Sequence, residues 1–562
     1  MNMMKFIKTE PVTKGWSCDK KYRVTKADGT EYLLRVSPVG QYERKKAMFE
    51  MTKRVASLGV PMCVPVEFGV CEDGVYALQT WIDGKDAQEV IPLLSDTQQY
   101  IFGLEAGRIL KKIHSIPAPK GQEDWEIRLN RKLDRKVKAY RECPIKFKGS
   151  EAMEEYISEN RHLLRSRPQC YQHGDYHIGN MMLSGGKLYI IDFDRDDFGD
   201  PWEEFNRIVW CAQMSPLFAS GMVNGYFDGN IPIEFWKLLV LYISGNMLSS
   251  FPWALPFGEE EVETMRRQAK EVLAWYDDMK TVIPKWYSEG FCIQYINGMP
   301  CKLKSPFDFG FLDRYGKVFK IFDDQDSGNI CFGTEKDGKR YFIKFAGAPA
   351  ERYNGDIRTA VDRLKNAVRV YTDLAHPCLI KLIKAEEIGG GFAAVFEWAD
   401  GDCMGRMYPE SHRAFMALPV EERLKAFDDI LSFHEYVNGC GYVAVDFYDG
   451  SIMYDFKNHK TIICDIDYYV KKPYINPIGR MWGSSRFMSP EEFIKGEAID
   501  EVTNVYTMGA TAFALFADYK RDAAGWTLSA NKYSAAVKAV SGNRSERQNS
   551  IKQFTEEWRT TD

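Results

Sequence analysis

The segment YQHGDYHIGNMMLSGGKLYIIDFDRDDFGDP, residues 171–201, carries more information about fold and chemistry than any other part of the chain. Asp175 precedes Asn180 by five residues. Two short apolar runs, MML and YII, flank the Gly185-Gly186 pair and predict two strands joined by a tight turn. The second strand brings the chain back to Asp192, so a carboxylate, an amide and a second carboxylate are expected at one end of a hairpin.

Phosphoryl transfer needs a set of side chains of this kind. One carboxylate accepts or orients the proton of the acceptor hydroxyl, while an amide oxygen and a second carboxylate hold Mg²⁺. Hard oxygen ligands suit Mg²⁺ better than they suit zinc. The alternative is a polar surface hairpin with solvated acids, which the apolar runs directly beside these acids disfavour.

Two motifs in this segment resemble those of the aminoglycoside phosphotransferase family. HGDYHIGN, residues 173–180, is similar to the catalytic loop H-G-D-x-H-x-x-N, and IDFD, residues 191–194, is similar to the metal loop. The resemblance covers roughly residues 10–290 and includes GRILKKIHSI at residues 107–116. It implies a protein-kinase-like bilobal fold and transfer of the ATP γ-phosphate to a hydroxyl of a small molecule.

The resemblance also implies roles for individual residues. Asp175 resembles the catalytic base, and Asn180 and Asp192 resemble the metal ligands. The remaining polar residues of the segment are expected to brace or support the loops rather than to do chemistry: His173, His177, Asp194 and Asp200.

Sequence before the catalytic loop supplies the expected nucleotide site. KGWSCDKKYRV, residues 14–24, lies where a phosphate-covering loop belongs, and the strand EYLLRVS puts Arg35 where kinases carry a phosphate-pairing lysine. Arginine stays charged and can hold phosphate oxygens in two places. Its helix partner is ambiguous, because Glu50 fits the family spacing better but Glu43 also fits, and either could equally be a solvated helix charge. The candidates are Gly15, Ser17, Arg35 and Glu50, with Gln79, Trp81 and Ile82 at the hinge QTWI, although Trp81 could equally belong to the core.

The resemblance also implies that an acceptor docks on the helical lobe after the metal loop. That region contains Trp253, an acidic run at residues 259–261, Glu263 and the segment WYDDM at residues 275–279. Acids and aromatic rings suit a polycationic sugar. They suit an ordinary solvated helix as well, and that interpretation is favoured.

The order of predicted elements occurs twice along the chain. In the first half, hairpins turning at Asp28-Gly29 and Asp73-Gly74 flank the helical segment QYERKKAMFEMTKRVASLG. In the second half, a hairpin turning at Asp337-Gly338 and the hairpin LIKLIKAEEIGGGFAAVFEWADG flank the helical segment AVDRLKNAVRVYTDLAHP. Helices follow each set, so the chain is predicted to contain two diverged copies of one plan.

The second copy, about residues 309–558, resembles Ser/Thr protein kinases. YFIKFAG places Lys344 as the phosphate-pairing lysine, and CDID places Asp465 at the metal position. The catalytic loop H-R-D-L-K-x-x-N reads AVDFYDGS here, so Asp446 is retained and Ser451 replaces the metal-binding asparagine. The position of the regulatory-helix glutamate falls near Ala367, where there is no acid.

These departures leave three interpretations of the second copy: a constitutive atypical kinase, a nucleotide-binding pseudokinase and a purely structural partner. A hydroxyl is a weaker Mg²⁺ ligand than an amide carbonyl, but it can still bind through water. Retention of both Asp446 and Asp465 keeps the first interpretation open.

Composition excludes some classes of function. A net charge of -5 gives no electrostatic reason to expect binding to nucleic acid or to an anionic membrane. The 13 cysteines include no C-x-x-C pair, which favours free thiols in a reducing cytoplasm over zinc sites or disulfides. The apolar run FWKLLVLYI, residues 235–243, is shorter than a membrane span and predicts a buried helix.

The sequence therefore predicts an α+β protein with two protein-kinase-like bilobal domains in tandem, each a small antiparallel sheet lobe plus a larger helical lobe. The expected domains are residues 1–298 and 305–562, joined near residues 299–308. The predicted function is transfer of phosphate from MgATP to a small-molecule hydroxyl. The alternatives are a protein Ser/Thr kinase, which would act on a protein substrate, and a non-catalytic pseudokinase scaffold. The acceptor and the oligomeric state stay open.

Overall fold

The computed structural model describes residues 6–13, 19–406 and 408–560. The chain divides into two compact units, Met1–Gly290 and Phe291–Asp562. Residues 299–308, where the sequence predicts the join, therefore lie inside the second unit. The physical reason is that the hairpin at residues 292–303 buries Ile296, Cys301 and Leu303 against the sheet of the second unit.

The first unit contains ten strands and nine helices within the part of the chain that the structure describes. The strands are β1 (Lys8–Pro11), β2 (Lys20–Thr25), β3 (Glu31–Ser37), β4 (Pro65–Cys71), β5 (Gly74–Thr80), β6 (Lys85–Asp86), β7 (Cys170–Gln172), β8 (Met181–Ser184), β9 (Lys187–Ile190) and β10 (Asp197–Gly199). The helices are α1 (Tyr42–Ser57), α2 (Ala87–Val90), α3 (Asp96–Ile113), α4 (Trp125–Glu142), α5 (Ser150–Asn160), α6 (Ile208–Met214), α7 (Pro216–Phe227), α8 (Ile233–Ala254) and α9 (Glu259–Trp275).

A five-stranded antiparallel sheet in the order β1-β2-β3-β5-β4 begins the first unit. Both hairpins predicted from the Asp-Gly turns are confirmed, with β2 paired to β3 and β4 paired to β5. Gly29 has a φ of +83°, a conformation in which glycine carries no steric penalty. Helix α1 crosses between β3 and β4 and packs Phe49 against Phe68 of the sheet, with ring centroids 5.4 Å apart.

Helices make up the rest of the first unit. Helix α3 begins at a capping box, in which Ser95 and Gln98 satisfy each other's backbone N–H groups. Helix α8 is long and apolar enough to cross a membrane by length and composition, but 67% of its most apolar window is buried inside the unit. The buried helix predicted from its sequence is therefore what the structure contains.

The second unit contains fourteen strands and six helices in its described residues. The strands are β11 (Cys292–Ile296), β12 (Met299–Leu303), β13 (Lys317–Phe322), β14 (Asn329–Lys336), β15 (Lys339–Ala346), β16 (Leu382–Ile388), β17 (Gly391–Glu397), β18 (Asp402–Cys403), β19 (Tyr442–Val443), β20 (Ile452–Asp455), β21 (Lys460–Ile463), β22 (Val470–Lys471), β23 (Tyr474–Ile475) and β24 (Ala498–Ile499). The helices are α10 (Ile357–Asp373), α11 (Pro409–Met416), α12 (Val420–Gly439), α13 (Glu501–Ala517), α14 (Ala530–Ala539) and α15 (Ile551–Thr560).

The main sheet of the second unit has the order β13-β14-β15-β17-β16. This is the strand order of the first unit's sheet, and helix α10 lies between its third and fourth strands in sequence as α1 does. Helix α13 is buried along almost its whole length in the helical core. Each unit is thus mixed α/β, with small antiparallel sheets and many helices.

Candidate active site

Two hydrogen bonds to backbone carbonyl oxygens connect the segments that carry the three predicted catalytic and metal residues of the first unit. Strands β8 and β9 form the expected hairpin, with Gly185 and Gly186 at positive φ in its turn. The Asn180 side chain donates from Nδ2 to the carbonyl oxygen of Asp175 at 2.9 Å, and the N–H of Ile191 donates to the carbonyl oxygen of Asn180 at 3.0 Å. Asp175, Asn180 and the residue before Asp192 are therefore tied together.

His173 joins the loop of Asp175 to the loop of Asp192. Its ring is buried, its Nε2 lies 3.0 Å from the Ile191 carbonyl oxygen, and its Nδ1 accepts from the N–H of Asp175 at 3.3 Å. Burial lowers the pKa of His173, which favours the neutral ring that both contacts require. His177 accepts a hydrogen bond at Nδ1 from the N–H of Gly179. Both histidines make the bracing contacts predicted for them.

Glu204 binds the backbone of the same loop through its carboxylate. Its two carboxylate oxygens accept from the backbone N–H groups of His173 and Gly174, each at 2.7 Å. The carboxylate is almost fully buried, and His114 Nε2 lies 3.4 Å from one of its oxygens. Sequence reasoning missed this residue, although it follows closely after the metal loop in the run GDPWEEFNR.

Two arginines face the carboxylate of Asp175. Arg207 Nε lies 3.2 Å from Oδ1, and Arg195 Nη1 lies 3.6 Å from Oδ2. Burial acts to raise the pKa of Asp175, but the hydrogen bond with His177 and the charges of Arg207 and Arg195 outweigh it and hold that pKa well below its usual range. Asp175 is therefore an ionised carboxylate, able to accept a hydrogen bond from a hydroxyl group.

Asp192 has the features of a cation ligand. Its φ is +67°, which aims the side chain differently from an extended strand residue. Burial and the negative charge of Asp194 raise its pKa, against the opposing charge of Arg35. Its Oδ1 atom is buried and accepts no hydrogen bond within the described residues. That oxygen, which has a 3.6 Å ion pair with Arg35 but no hydrogen bond, and the carbonyl oxygen of the Asn180 amide fit a hard divalent cation such as Mg²⁺.

A larger protein-only metal cluster is not present. In the described chain no group of three or more histidine, cysteine, aspartate or glutamate side chains could hold a metal ion. Magnesium sites of nucleotide enzymes commonly use one or two carboxylates together with phosphate oxygens, so the pair Asn180 and Asp192 is sufficient for that kind of site.

Arg35 lies among carboxylates. It is buried at the sheet, contacts Asp19 at 3.2 Å and Asp192 at 3.6 Å, and forms a short ion pair with Asp194. Lys45 from helix α1 lies 2.7 Å from Asp19 and 3.7 Å from Asp194. The strand cation is thus held directly beside the metal loop.

The expected helix partner of Arg35 is contradicted. Glu50 is exposed on α1 and pairs with Lys53 of the same helix at 3.4 Å, and Glu43 is also exposed. Helix α1 instead directs Lys45 toward this cluster, so the helix provides a cation and the loops provide the acids. The sequence spacing predicted a glutamate on this helix because kinases pair their strand cation with a glutamate at that position.

The remaining nucleotide candidates differ in where they lie. Gly15 and Ser17 lie outside the described residues. Gln79 lines the same small cavity as Arg35. Trp81 follows β5 with its indole N–H buried and without a hydrogen-bond partner among described residues, and Ile82 is buried beside it.

The acidic and aromatic candidates for an acceptor site make local contacts. Trp253 is exposed and packs on Phe257, with ring centroids 4.9 Å apart. Glu263 pairs with Arg266 one turn further along α9. The acids at residues 259–261 occupy the first turn of that helix, where negative charge stabilises the helix terminus. These contacts fit the solvated-helix interpretation.

In the second unit, Lys344 contacts two aspartates. Its Nζ lies 2.9 Å from Asp465 and 2.8 Å from Asp467. Tyr371 of helix α10 donates from its hydroxyl to Asp467 at 2.9 Å. Ala367 is buried on the same helix, so the helix presents a phenol rather than a glutamate to this cluster.

Asp446 and Ser451 are the remaining residues that the catalytic-loop spacing assigns to the second site. Asp446 has a φ of +61°, and burial together with the charge of Asp465 raises its pKa to about 7. Ser451 is buried, and its Oγ has no hydrogen-bond partner in the part of the chain that the structure describes. Neither residue is bonded to Lys344.

Comparison with known proteins gives one family match. The model of the phosphotransferase enzyme family, APH, matches residues 8–236. It does not extend into the second unit, whose resemblance to Ser/Thr kinases stays a prediction. No curated protein sequence matches the chain.

Solved structures similar to about half of the chain include three small-molecule kinases. A thermostable mutant of aminoglycoside phosphotransferase APH(4)-Ia has 16% identity and a TM-score of 0.37, covering 47% of this chain and 93% of its own. A choline/ethanolamine kinase family protein from Mesorhizobium loti has 15% identity and a TM-score of 0.38, covering 49% and 91%. Amicoumacin kinase hAmiN, solved with AMP-PNP, Ca²⁺ and Ami, has 14% identity and a TM-score of 0.37, covering 50% and 91%.

The family match covers both the strand that carries Arg35 and the loops that carry Asp175, Asn180 and Asp192. The first unit is therefore similar, over residues 8–236, to the APH phosphotransferase family.

Proposed function

We propose that the first unit is an ATP-dependent phosphotransferase that transfers the γ-phosphate of MgATP to a hydroxyl group of a small molecule. The observation that carries the proposal is the pair of hydrogen bonds that ties Asp175, Asn180 and the Asp192 loop together. The family match over the same residues supports it.

Each residue has a role that its surroundings support. Asp175, ionised and partly accessible, orients the acceptor hydroxyl and accepts its proton. Asn180 and Asp192 are the residues that would hold Mg²⁺, which when bound neutralises charge on the transferring phosphate. Arg35 provides a buried cation beside them. Catalysis of this kind consists mainly of positioning and charge stabilisation.

The test is phosphate transfer by the full-length chain from radiolabelled ATP to small molecules and, separately, to a peptide library. We expect label on a small molecule, and we expect Asp175→Asn to lower kcat by about 10²- to 10⁴-fold, as loss of a positioned base does. Asp134→Asn is the matched control, because Asp134 is an exposed acid paired with Arg161. Label on peptides alone would instead support the protein kinase alternative, and no turnover would support the scaffold.

The second unit is proposed to bind a nucleotide as well. Two observations favour this: Lys344 is buried between two aspartates, and the Ser451 hydroxyl is buried without a partner among the described residues. Titration of the whole protein with a fluorescent ATP analogue and Mg²⁺ should give two sites, and Lys344→Met should leave one. A stoichiometry of one that Lys344→Met does not change would refute nucleotide binding by this unit.

Localisation in a reducing cytoplasm is part of the same proposal. The twelve cysteines in the described residues are free thiols. Seven of them are at least partly accessible, and free accessible thiols persist most readily under reducing conditions.

A further inference from the structure

Two partly exposed arginines lie beside the carboxylate of Asp175. Arg207 and Arg195 each face one carboxylate oxygen, and their side chains are 26% and 56% exposed. A guanidinium has five N–H donors, and a single carboxylate contact uses at most two of them. Neither arginine makes another ion pair within the described chain, so both keep N–H donors that no other carboxylate of that chain uses.

Helix α4 carries two lysines on one face, and one of them, Lys136, interacts electrostatically with Arg207. Lys132 and Lys136 are four residues apart and so lie on the same helix face. Lys132 contacts Glu203 at 3.4 Å, whereas Lys136 is half-buried and makes no hydrogen bond or ion pair with any described residue. Burial, followed by the charge of Lys132, lowers the pKa of Lys136 to about 8 against the opposing charge of Glu203, and the charge of Arg207 adds to the lowering.

Most other acids of this area are already engaged. Glu203 forms an ion pair with Lys132 at 3.4 Å, and Asp197 forms a short ion pair with Arg128. A half-buried lysine that shares one carboxylate with a second lysine is costly, because its ammonium loses hydration and gains only part of a counter-charge. A bound anion would remove that cost. A polycationic acceptor would meet like charges at the same place, which costs affinity.

We propose that the hydroxyl acceptor of the first unit carries an anionic group, a carboxylate or a phosphate, and that Arg207, Arg195 and Lys136 bind it. The acceptor class is then a hydroxy acid, a sugar acid or a sugar phosphate rather than a polycationic aminoglycoside. Planar guanidinium groups bind both carboxylate and phosphate through two parallel hydrogen bonds. This inference rests on the proposed phosphotransferase function and names its substrate class.

The reaction is balanced as follows. The acceptor oxygen forms a bond to the γ-phosphorus, and the bond from that phosphorus to the β–γ bridging oxygen breaks. ADP leaves with the electron pair of that bond. The hydroxyl proton passes to Asp175 and from there to solvent.

The first experiment compares matched acceptors with full-length protein, MgATP and a coupled assay for ADP. Glucose is the neutral member, glucosamine and kanamycin are the cationic members, and gluconate, glucuronate and glucose 6-phosphate are the anionic members. We expect kcat/KM for an anionic member to exceed that of its neutral counterpart by at least tenfold. Activity on the carboxylates or on the phosphate alone identifies which anion the site takes. A neutral or cationic preference overturns the proposal.

A variant separates acceptor binding from nucleotide binding. Lys136→Met keeps an unbranched side chain one atom shorter and removes its charge, and we expect it to raise KM for the anionic acceptor at least fivefold with KM for MgATP unchanged. Lys138→Met is the matched control, because Lys138 is exposed on the same helix and has only a 3.9 Å contact with Glu142. A rise in KM for MgATP alone would assign the cluster to the nucleotide and overturn the proposal.

A binding measurement decides the acceptor class without turnover. The same compounds are tested by equilibrium dialysis against the protein with Mg²⁺ and ADP, at low and at raised ionic strength. The proposal requires that an anionic compound binds, that salt weakens its binding and that Lys136→Met reduces it at least fivefold. Binding of anions without any phosphate transfer would sink the proposed function and leave this site standing, whereas transfer to a neutral acceptor would do the reverse.

Discussion

Glu204→Gln is expected to destabilise the first unit and to loosen the loop of Asp175, although Glu204 touches no substrate in the proposed reaction. The carboxylate accepts from two backbone N–H groups, those of His173 and Gly174, each at 2.7 Å. Glutamine has nearly the same shape, but only one of its two terminal atoms can accept a hydrogen bond. One of the two N–H groups must therefore face an NH₂ group.

The magnitude follows from the geometry. A hydrogen bond to a charged acceptor contributes about 1.5–3 kcal/mol, and a buried donor left without a partner costs about 1–3 kcal/mol. These two figures describe the same loss from different reference states, so they are not added. Allowing for weakening of the retained bond when the charge is removed, we expect a loss of about 2–4 kcal/mol.

Hydrogen exchange measured by mass spectrometry gives the local readout, on peptides that cover residues 171–180. Protection of the His173 and Gly174 amides should fall by about 30-fold or more, since each 1.4 kcal/mol corresponds to a factor of ten. Urea unfolding reports the global loss. Glu155→Gln is the control, because Glu155 is exposed on α5 and makes no ion pair within the described chain. Unchanged protection in Glu204→Gln would refute the assignment of Glu204 as the support of this loop.

Three further predictions concern packing, pH and the second site. Gly107→Ala should destabilise the first unit by about 1–3 kcal/mol in urea, because the added Cβ would lie 2.1 Å from the Met222 carbonyl oxygen, which outweighs the helix propensity gained. His434 is buried with a pKa of about 4, below its unfolded value, so stability present above pH 6.5 should be lost as pH falls toward 4, by about 3 kcal/mol in total. Tyr371→Phe should cost the second unit about 1–2 kcal/mol, measured by its unfolding, because Asp467 loses a buried hydrogen-bond donor.

Each of these has a control within the chain. Gly40→Ala meets no atom within 4 Å and should leave stability unchanged or slightly raised. His434→Phe should flatten the pH dependence of unfolding between pH 4 and 6.5, and an equal slope in both proteins would contradict the role given to His434. Tyr436→Phe is the control for Tyr371→Phe, since Tyr436 is exposed.

Local sequence signals predicted much of the fold. Asp-Gly turns between alternating strands identified the hairpins of both sheets, because such turns need positive φ and glycine provides it without strain. The apolar run before Gly185 and the one after Gly186 identified the hairpin that carries the site. These features depend on neighbours in sequence, and a single sequence contains that information.

Contacts between distant segments could not be predicted in this way. Glu204 reaches His173 across 31 residues, and Arg207 meets Asp175 across 32, so no periodicity links them. Both lie in an ordinary-looking acidic and basic run after the metal loop. The charge around Asp175 thus differs from what the acids of α9 suggested, since those acids stay on their own helix surface.

The Asp-x-Asp motif of the first unit explains why no helix glutamate is needed there. Arg35 pairs with Asp194, the second aspartate of the motif, and Lys45 on helix α1 lies 3.7 Å from that same carboxylate. The acid that steadies the strand cation therefore comes from the loop. Helix α1 contacts this cluster through Lys45, a cation. A prediction that looks only for a glutamate on this helix therefore misses the contact.

The second unit has the same arrangement with a different helix residue. Lys344 lies 2.8 Å from Asp467, the second aspartate of its own motif, and Tyr371 on helix α10 donates a hydrogen bond to that carboxylate. Helix α10 thus supplies a hydrogen-bond donor to Asp467, whereas a regulatory-helix glutamate would supply a carboxylate to Lys344. Absence of a glutamate at Ala367 is consequently not an argument against nucleotide binding, because the partner that Lys344 needs is present in the loop.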